Sequence, residues 1–197
     1  MTSGRRFGPN GTLPQPSPAA SMSSKGVPPT PMAKQPPAAV NAPLEDVLAA
    51  VWLTHPLERE TRARLAALGT VKPIAGGQQL VREGETATEL GILLSGRVGL
   101  RMRVPERGAV TILTVEPGDV IGWSALVPPH RSTSTAVVLV GGEMAVFDAA
   151  VLRSELATDA QLAAQLYPLL LAAVSRRLDA TRFQLLDLFT HRWVEPW

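Results

Sequence analysis

The stretch Gly118-Asp119-Val120-Ile121-Gly122-Trp123-Ser124-Ala125-Leu126, followed shortly by Arg131-Ser132-Thr133-Ser134-Thr135-Ala136, decides how this chain reads. A brief β-type pair is closed on both sides by glycine, a helix-compatible quartet comes next, and basic and hydroxyl residues follow. That order has the outline of a phosphate-holding turn. Backbone amides at a helical start, a guanidinium fork and a hydroxyl are the groups such an anion needs.

Outward from this turn, the chain between Val71 and Phe147 is a series of short β-type runs. They are Val71–Ile74, Gln79–Arg82, Leu90–Leu94, Val98–Val104, Ala109–Val115, Val120–Ile121, Thr135–Val140 and Glu143–Phe147. The separators are turn formers, among them Gly76-Gly77, Gly84-Glu85, Ser95-Gly96, Pro117-Gly118 and Gly141-Gly142. Eight short strands at this spacing predict a sandwich, jelly roll or β-roll. Upstream, Leu44, Val47, Leu48, Val51 and Trp52 recur at helical spacing, and Leu57–Leu68 reads as a second amphipathic helix that Gly69 closes as a C-cap. Downstream, Ala149–Leu156 is a short helix, and Asp159 caps a long one to about Phe189, about 45 Å at the α-helical rise.

The organisation expected is therefore four parts. Residues 1–42, rich in Pro, Ser and Ala, cannot bury enough apolar surface to offset ordering entropy and read as a disordered tail. Residues 43–157 form the roll with its N-terminal helices, residues 158–190 the long helix, and residues 191–197 a short tail. The fold class expected is α+β, mainly β: eight strands in a sandwich, jelly roll or β-roll, with N-terminal helices and a long C-terminal helix. The proline-rich tail is either a docking segment for a protein partner, a solubilising extension, or the product of a misplaced start, given Met22 and Met32.

Composition removes several function classes. With 197 residues and no cysteine, the chain has room for one well-cored domain and no disulfide, thiolate metal site or cysteine nucleophile. The net charge of +2 divides unevenly, since Arg5, Arg6, Lys25 and Lys34 lie in the acid-free first 43 residues. The remainder holds 15 basic against 17 acidic side chains, so the folded part is not a basic nucleic-acid-binding body. No apolar run, Leu169–Val174 included, approaches the ~20 residues that span a bilayer. Arg5-Arg6-Phe7 resembles a twin-arginine start, but Gly8-Pro9-Asn10-Gly11 replaces the apolar stretch an export signal needs. A cytoplasmic protein without membrane contact is expected.

Several spaced segments together resemble cyclic nucleotide-binding domains of the Crp/Fnr type. Leu80-Val81-Arg82-Glu83-Gly84-Glu85, then Ala87, Leu90, Ile92-Leu93-Leu94 and Gly96-Arg97-Val98 resemble that family's first signature. Pro117-Gly118-Asp119-Val120-Ile121-Gly122 looks like the entry to its phosphate cassette, Thr135-Ala136-Val137-Val138 like the strand leaving it, and Arg176-Arg177-Leu178 like its dimerisation helix. The resemblance covers residues 44–190, and stand-alone bacterial domains carrying Gly-Trp-Ser-x-Leu-x-Pro-Pro-x-Arg, here Gly122 to Arg131, resemble the chain most.

The resemblance implies a ligand pocket and also two departures from it. The family places a carboxylate directly after the cassette glycine, where it accepts from a ribose hydroxyl; here Trp123 has one N–H donor and no acceptor. The family arginine precedes a small hydroxyl residue and Ala; here that position is Ser134. Arg131, three residues upstream, would either swing inward with Ser132, Thr133 or Ser134 helping, or point to solvent. Hydrogen bonds to charged groups contribute roughly 1.5–3 kcal/mol each, and micromolar affinity is about 8 kcal/mol in total, so two lost anchors weigh heavily. Trp123 would stack on a flat ligand or plug the vacated space. The candidate ligand-binding residues are Gly122, Trp123, Ser124, Ala125, Arg131, Ser132, Ser134, Thr135 and Thr181, with a cyclic nucleotide as the possible ligand and no cofactor.

Enzyme chemistry is not expected. His55, His130 and His191 are isolated, no His-x-His pair with an acid is present, and no nucleophile elbow, P-loop or dinucleotide fingerprint occurs. Glu83 and Glu85 flank Gly84 in a turn without a nucleophile. On the long helix, Leu166, Leu170, Ala173, Arg177, Thr181, Leu185 and Leu188 form a stripe in steps of three and four. It suits a two-fold partner helix or the chain's own roll, and Arg177 and Thr181 are its polar members facing a pocket or a dimer axis. The resemblance implies a homodimer through residues 160–190. After Phe189 only eight residues follow, too few for a helix-turn-helix, so direct DNA readout is not expected. Two functions fit: a regulatory module sensing a nucleotide-like or other small ligand through an altered cassette, or a ligand-free dimeric scaffold acting through its Pro-rich tail.

Overall fold

The computed structural model describes residues 42–106 and 108–190, without the side chains of residues 184, 185 and 187–190. The expected disordered tail, except its last residue, and the terminal segment with Trp193 and Trp197 lie outside the described residues. Helices α1 (Leu44–Ala50) and α2 (Arg59–Ala67) precede strands β1 (Gly69–Ile74), β2 (Gln79–Val81), β3 (Glu89–Leu93), β4 (Arg97–Val104), β5 (Gly108–Val115), β6 (Val120–Ile121), β7 (Thr135–Val140) and β8 (Gly142–Asp148). Helices α3 (Ala149–Thr158) and α4 (Ala160–Thr190) follow, all within one compact unit, 34–197. No helix among the described residues is long and apolar enough to cross a membrane.

The eight strands form two antiparallel four-stranded sheets, in the orders β1-β8-β3-β6 and β2-β7-β4-β5. The helices cover the outer face of the first sheet, which makes three layers. Side chains show this directly: Leu90, Ile92, Val120, Ala145 and Phe147 join the helix-side core, while Leu93, Ile121, Met144 and Val146 join the core between the sheets. A strand covered on both faces reads as a continuous apolar run, which is why Leu90–Leu93 and Met144–Phe147 are buried without interruption. In the second sheet β7 alternates, with Ala136 and Val138 buried between partly exposed neighbours.

The starts of α3 and α4 follow capping chemistry. The Asp148 carboxylate accepts from Val151 N at 2.9 Å at the start of α3, and Asp159 accepts from Leu162 N at 2.9 Å at the start of α4. The second carboxylate oxygen of Asp159 takes Arg64 Nη1 at 2.6 Å, so one side chain both caps α4 and ties it to α2. These contacts hold the Asp159 carboxyl below its ordinary value, the Leu162 amide first and Arg64 next.

One expectation needs correction. Gly69 is not a left-handed cap: Leu68 ends α2 in right-handed geometry, and Gly69 already begins β1. Glycine is required there because a Cβ would stand 2.5 Å from Phe147 Cε1 and 2.9 Å from Leu44 Cδ2. Of the two readings left open for the α4 stripe, its first three residues follow the one that packs on the chain's own roll. Leu166, Leu170 and Ala173 are buried in the helix-side core. Among the described side chains of α4, the exposed large apolar residues are others: Tyr167, Leu171, Leu178, Phe183 and Leu186.

Candidate functional site

Strand β6 is held on β3 by the pairs Gly91 with Ile121 and Ile92 with Val120. The chain must then turn at once, and Gly122 does so at φ 75°, ψ 25°. A Cβ at this position would sit 2.5 Å from Glu89 O, so both the left-handed backbone and the close approach of β3 demand glycine. A single 3₁₀ turn, Trp123–Leu126, follows, with Ala125 N donating to Gly122 O at 2.8 Å.

The returning segment is pinned to the loop between β2 and β3. Ala87 N donates to His130 O at 2.8 Å, Ser132 N to Glu85 O at 2.9 Å, and Gly84 N to Ser132 O at 2.8 Å. Arg131 itself forms an isolated antiparallel bridge with Thr86, and in such paired backbone adjacent side chains go to opposite faces. Ser132 goes inward and is 5% exposed, whereas Arg131 goes outward. Arg131 Nη1 donates to Gly84 O at 2.8 Å in an exposed contact.

A cavity of about 200 Å³ opens between this turn, the second sheet and α4. Its floor is apolar, from Val81, Leu100, Met102, Ile112 and Leu113 on β2, β4 and β5. Its polar wall contains Ser124, Ser132, Thr133 and Ser134, with Gly122 and Trp123 at the entry turn and Arg177 and Thr181 from α4. A second space of about 50 Å³ lies alongside, and Val81, Ile121, Gly122 and Ser132 border both. The Ser132 hydroxyl has no hydrogen-bond partner among the described residues. No cluster of three or more His, Asp or Glu able to hold a metal occurs among them either.

Six of the nine residues singled out from sequence meet at this cavity: Gly122, Trp123, Ser124, Ser132, Ser134 and Thr181. Three do not line it. Ala125 is fully buried in a small cluster with Ala87 and Ala149, and its carbonyl accepts from Arg153 Nη1 at 2.6 Å. The Thr135 hydroxyl accepts from Glu83 N at 3.0 Å. Arg131 is tied to Gly84, so its inward swing is replaced by the outward contact. Trp123 is half-buried and packs against the helix-side core, yet the cavity beside it stays open.

The guanidinium at the cavity comes instead from α4. Arg177 is half-buried and its Nη2 donates to Val120 O on β6 at 2.6 Å. Burial pushes its pKa below the ordinary arginine value, and the charge of Asp119 opposes that shift. One turn on, Thr181 Oγ1 donates to Arg177 O at 2.9 Å. The preceding residue, Arg176, lies over the Trp52 ring at 4.2 Å from its centroid. Sequence reading marked Arg177 as a polar step in the α4 stripe but did not include it in the ligand set. The signal was its i, i+4 spacing with Thr181. The apolar floor from β2, β4 and β5 has no sequence signal beyond the strand runs themselves.

Residues 71–159 match the family model for the cyclic nucleotide-binding domain. Over 146 residues, 74% of this chain, the sequence is 28% identical to the CRP-like cAMP-activated global transcriptional regulator of Mycobacterium tuberculosis. The chain spans 63% of the length of that relative. Among solved structures, the N-terminal domain of a transcriptional regulator from Streptomyces coelicolor A3(2) is similar at 28% identity and a TM-score of 0.55, covering 71% of this chain and 95% of that one. A cyclic nucleotide-binding domain from Methylobacillus flagellatus KT shares the fold at 21% identity and a TM-score of 0.63, covering 73% of this chain and 81% of its own.

Proposed function

Because residues 71–159 are a cyclic nucleotide-binding domain, in a chain related to CRP-like regulators, we propose that the protein is a non-enzymatic module that senses a nucleotide-like small ligand. The observation that carries this reading is convergence. Side chains from the entry turn, the returning segment and α4 wall one cavity of about 200 Å³ with an unpartnered hydroxyl on its border.

Ligand binding would act on the elements that share the cavity. The 3₁₀ turn is bonded to α3 through Arg153 and Ala125 O, and α3 joins α4 at Asp159, whose backbone is extended. A shift of the turn therefore has a route to α4, and a ligand favouring one helix position would bias it by its differential affinity. The output surface in this proposal is a homodimer through α4. Exposed Tyr167, Leu171 and Leu178, with half-buried Val174, recur in steps of four, three and four, the spacing of a coiled-coil seam. Sedimentation equilibrium should give a dimer that Leu171→Glu dissociates; a monomeric parent protein would remove this part. In this proposal the module works in the cytoplasm and its Pro-rich N-terminal segment recruits a protein partner.

The second reading is a ligand-free scaffold. It draws on Trp123 packing against the helix-side core and on Arg131 being held away from the cavity. Calorimetric titration with cyclic AMP, cyclic GMP and AMP separates the two. Saturable binding of any one supports sensing, and silence from all three leaves the scaffold.

A further inference from the structure

We infer that Arg177, carried by α4, is the anion-recognising residue of the cavity. This rests on the ligand-sensing reading, and its ligand class is a small molecule bearing a phosphate-type oxyanion.

A guanidinium presents five N–H donors in a planar fork. Among the described residues Arg177 makes one hydrogen bond, to Val120 O, and no carboxylate lies within ion-pair distance of it, the Asp119 charge acting from further off. A half-buried cation without a paired carboxylate is costly unless something else satisfies it. The direction of its pKa records that cost. On the roll side of the same cavity, the Ser132 hydroxyl is also buried and unpartnered. Ser134 and Thr133 add further hydroxyls. A positive fork whose other donors have no protein partner among the described residues, set in a cavity rimmed by hydroxyls, has the chemistry of an oxyanion site. The roll's other nearby guanidinium, Arg131, is committed to Gly84 O on the outside.

Because the cation sits on α4 rather than on the cassette, recognition and response share one residue. The Arg177 fork that meets the anion also holds α4 to β6 through Val120 O. An oxyanion engaging that fork shares or displaces this bond, while Arg176 on Trp52 anchors the helix one residue away. Ligand charge would thus be read as tension between α4 and β6.

The test compares a charged probe with a neutral one of the same base, cyclic AMP against adenosine, by calorimetry. The unaltered protein should prefer cyclic AMP, and Arg177→Gln should reduce that preference by roughly ten- to hundredfold. Arg131→Ala should leave it within twofold. If Arg177→Gln does not fold, Ser132→Ala, which removes a hydroxyl with no partner, should still lower the preference several-fold. A preference retained in Arg177→Gln or Ser132→Ala, or lost in Arg131→Ala, overturns the assignment of Arg177 while the sensing role stands. No binding of either probe, of cyclic GMP or of AMP to the unaltered protein overturns both.

Discussion

The two walls of the cavity are built by different means. The roll wall is set by backbone: strand register on β3, a glycine forced into the left-handed region, and a returning segment pinned at residues 130 and 132. The α4 wall is set by side chains: Leu166, Leu170 and Ala173 seat the helix on the core, and Arg177 and Thr181 then reach the cavity. A backbone wall can keep its shape while its side chains change chemistry. A side-chain wall can bring new chemistry whenever the seating residues hold. Here the shape of the site and its cationic group come from different elements.

That contrast can be broken at each wall. The largest effect is expected on the helix side. Leu166 is 1% exposed, and Leu166→Ala should cost about 2–5 kcal/mol in urea unfolding. The same variant should reduce any preference for charged over neutral ligand, because Arg177 loses its seating. An unchanged preference would mean the two walls are not separate devices. On the roll side, Gly122→Ala forces a Cβ against Glu89 O in a left-handed backbone and should cost about 1–3 kcal/mol. It should weaken charged and neutral ligands alike. A selective loss of the charged one would shift anion recognition back to the turn.

The smallest effect concerns the start of α4. The Asp159 carboxyl is held below its ordinary value of 3.8 by the Leu162 amide and Arg64. A carboxyl depressed in the folded state contributes stability that is complete above the unfolded value and lost as pH falls through the folded one. Asp159→Asn keeps a capping side chain but removes the titration, so the urea midpoint should fall less steeply below about pH 4 than in the unaltered protein. Parallel acid limbs would assign the loss to other carboxylates.

The strands were legible because each run is bounded by glycine or proline, and β6 and β7 begin and end where the residues indicated. The layering was harder to read. Leu90–Leu93 and Met144–Phe147 are continuous apolar runs, yet only the sheet order β1-β8-β3-β6 explains what covers their second face. The α4 stripe was ambiguous for a physical reason: steps of three and four suit a partner helix and a β-roll equally. Gly69 was misread because a packing constraint from Phe147 leaves the same letter in the sequence as a cap. Arg131 and Arg177 exchange roles for a similar reason. Nothing local to Arg131 announces the three backbone bonds that turn it outward, and Arg177 meets the cavity only through helix docking.

The account centres on a cavity able to hold a small anion between Trp123 and Arg177. The most direct measurement is a nitrogen-15 NMR titration with cyclic AMP, following the Trp123 indole and the Arg177 side-chain N–H, assigned with Trp123→Phe and Arg177→Lys. Saturable shifts of both signals at one common midpoint are predicted. Shifts at neither, or at the Arg131 side chain instead, would contradict the account.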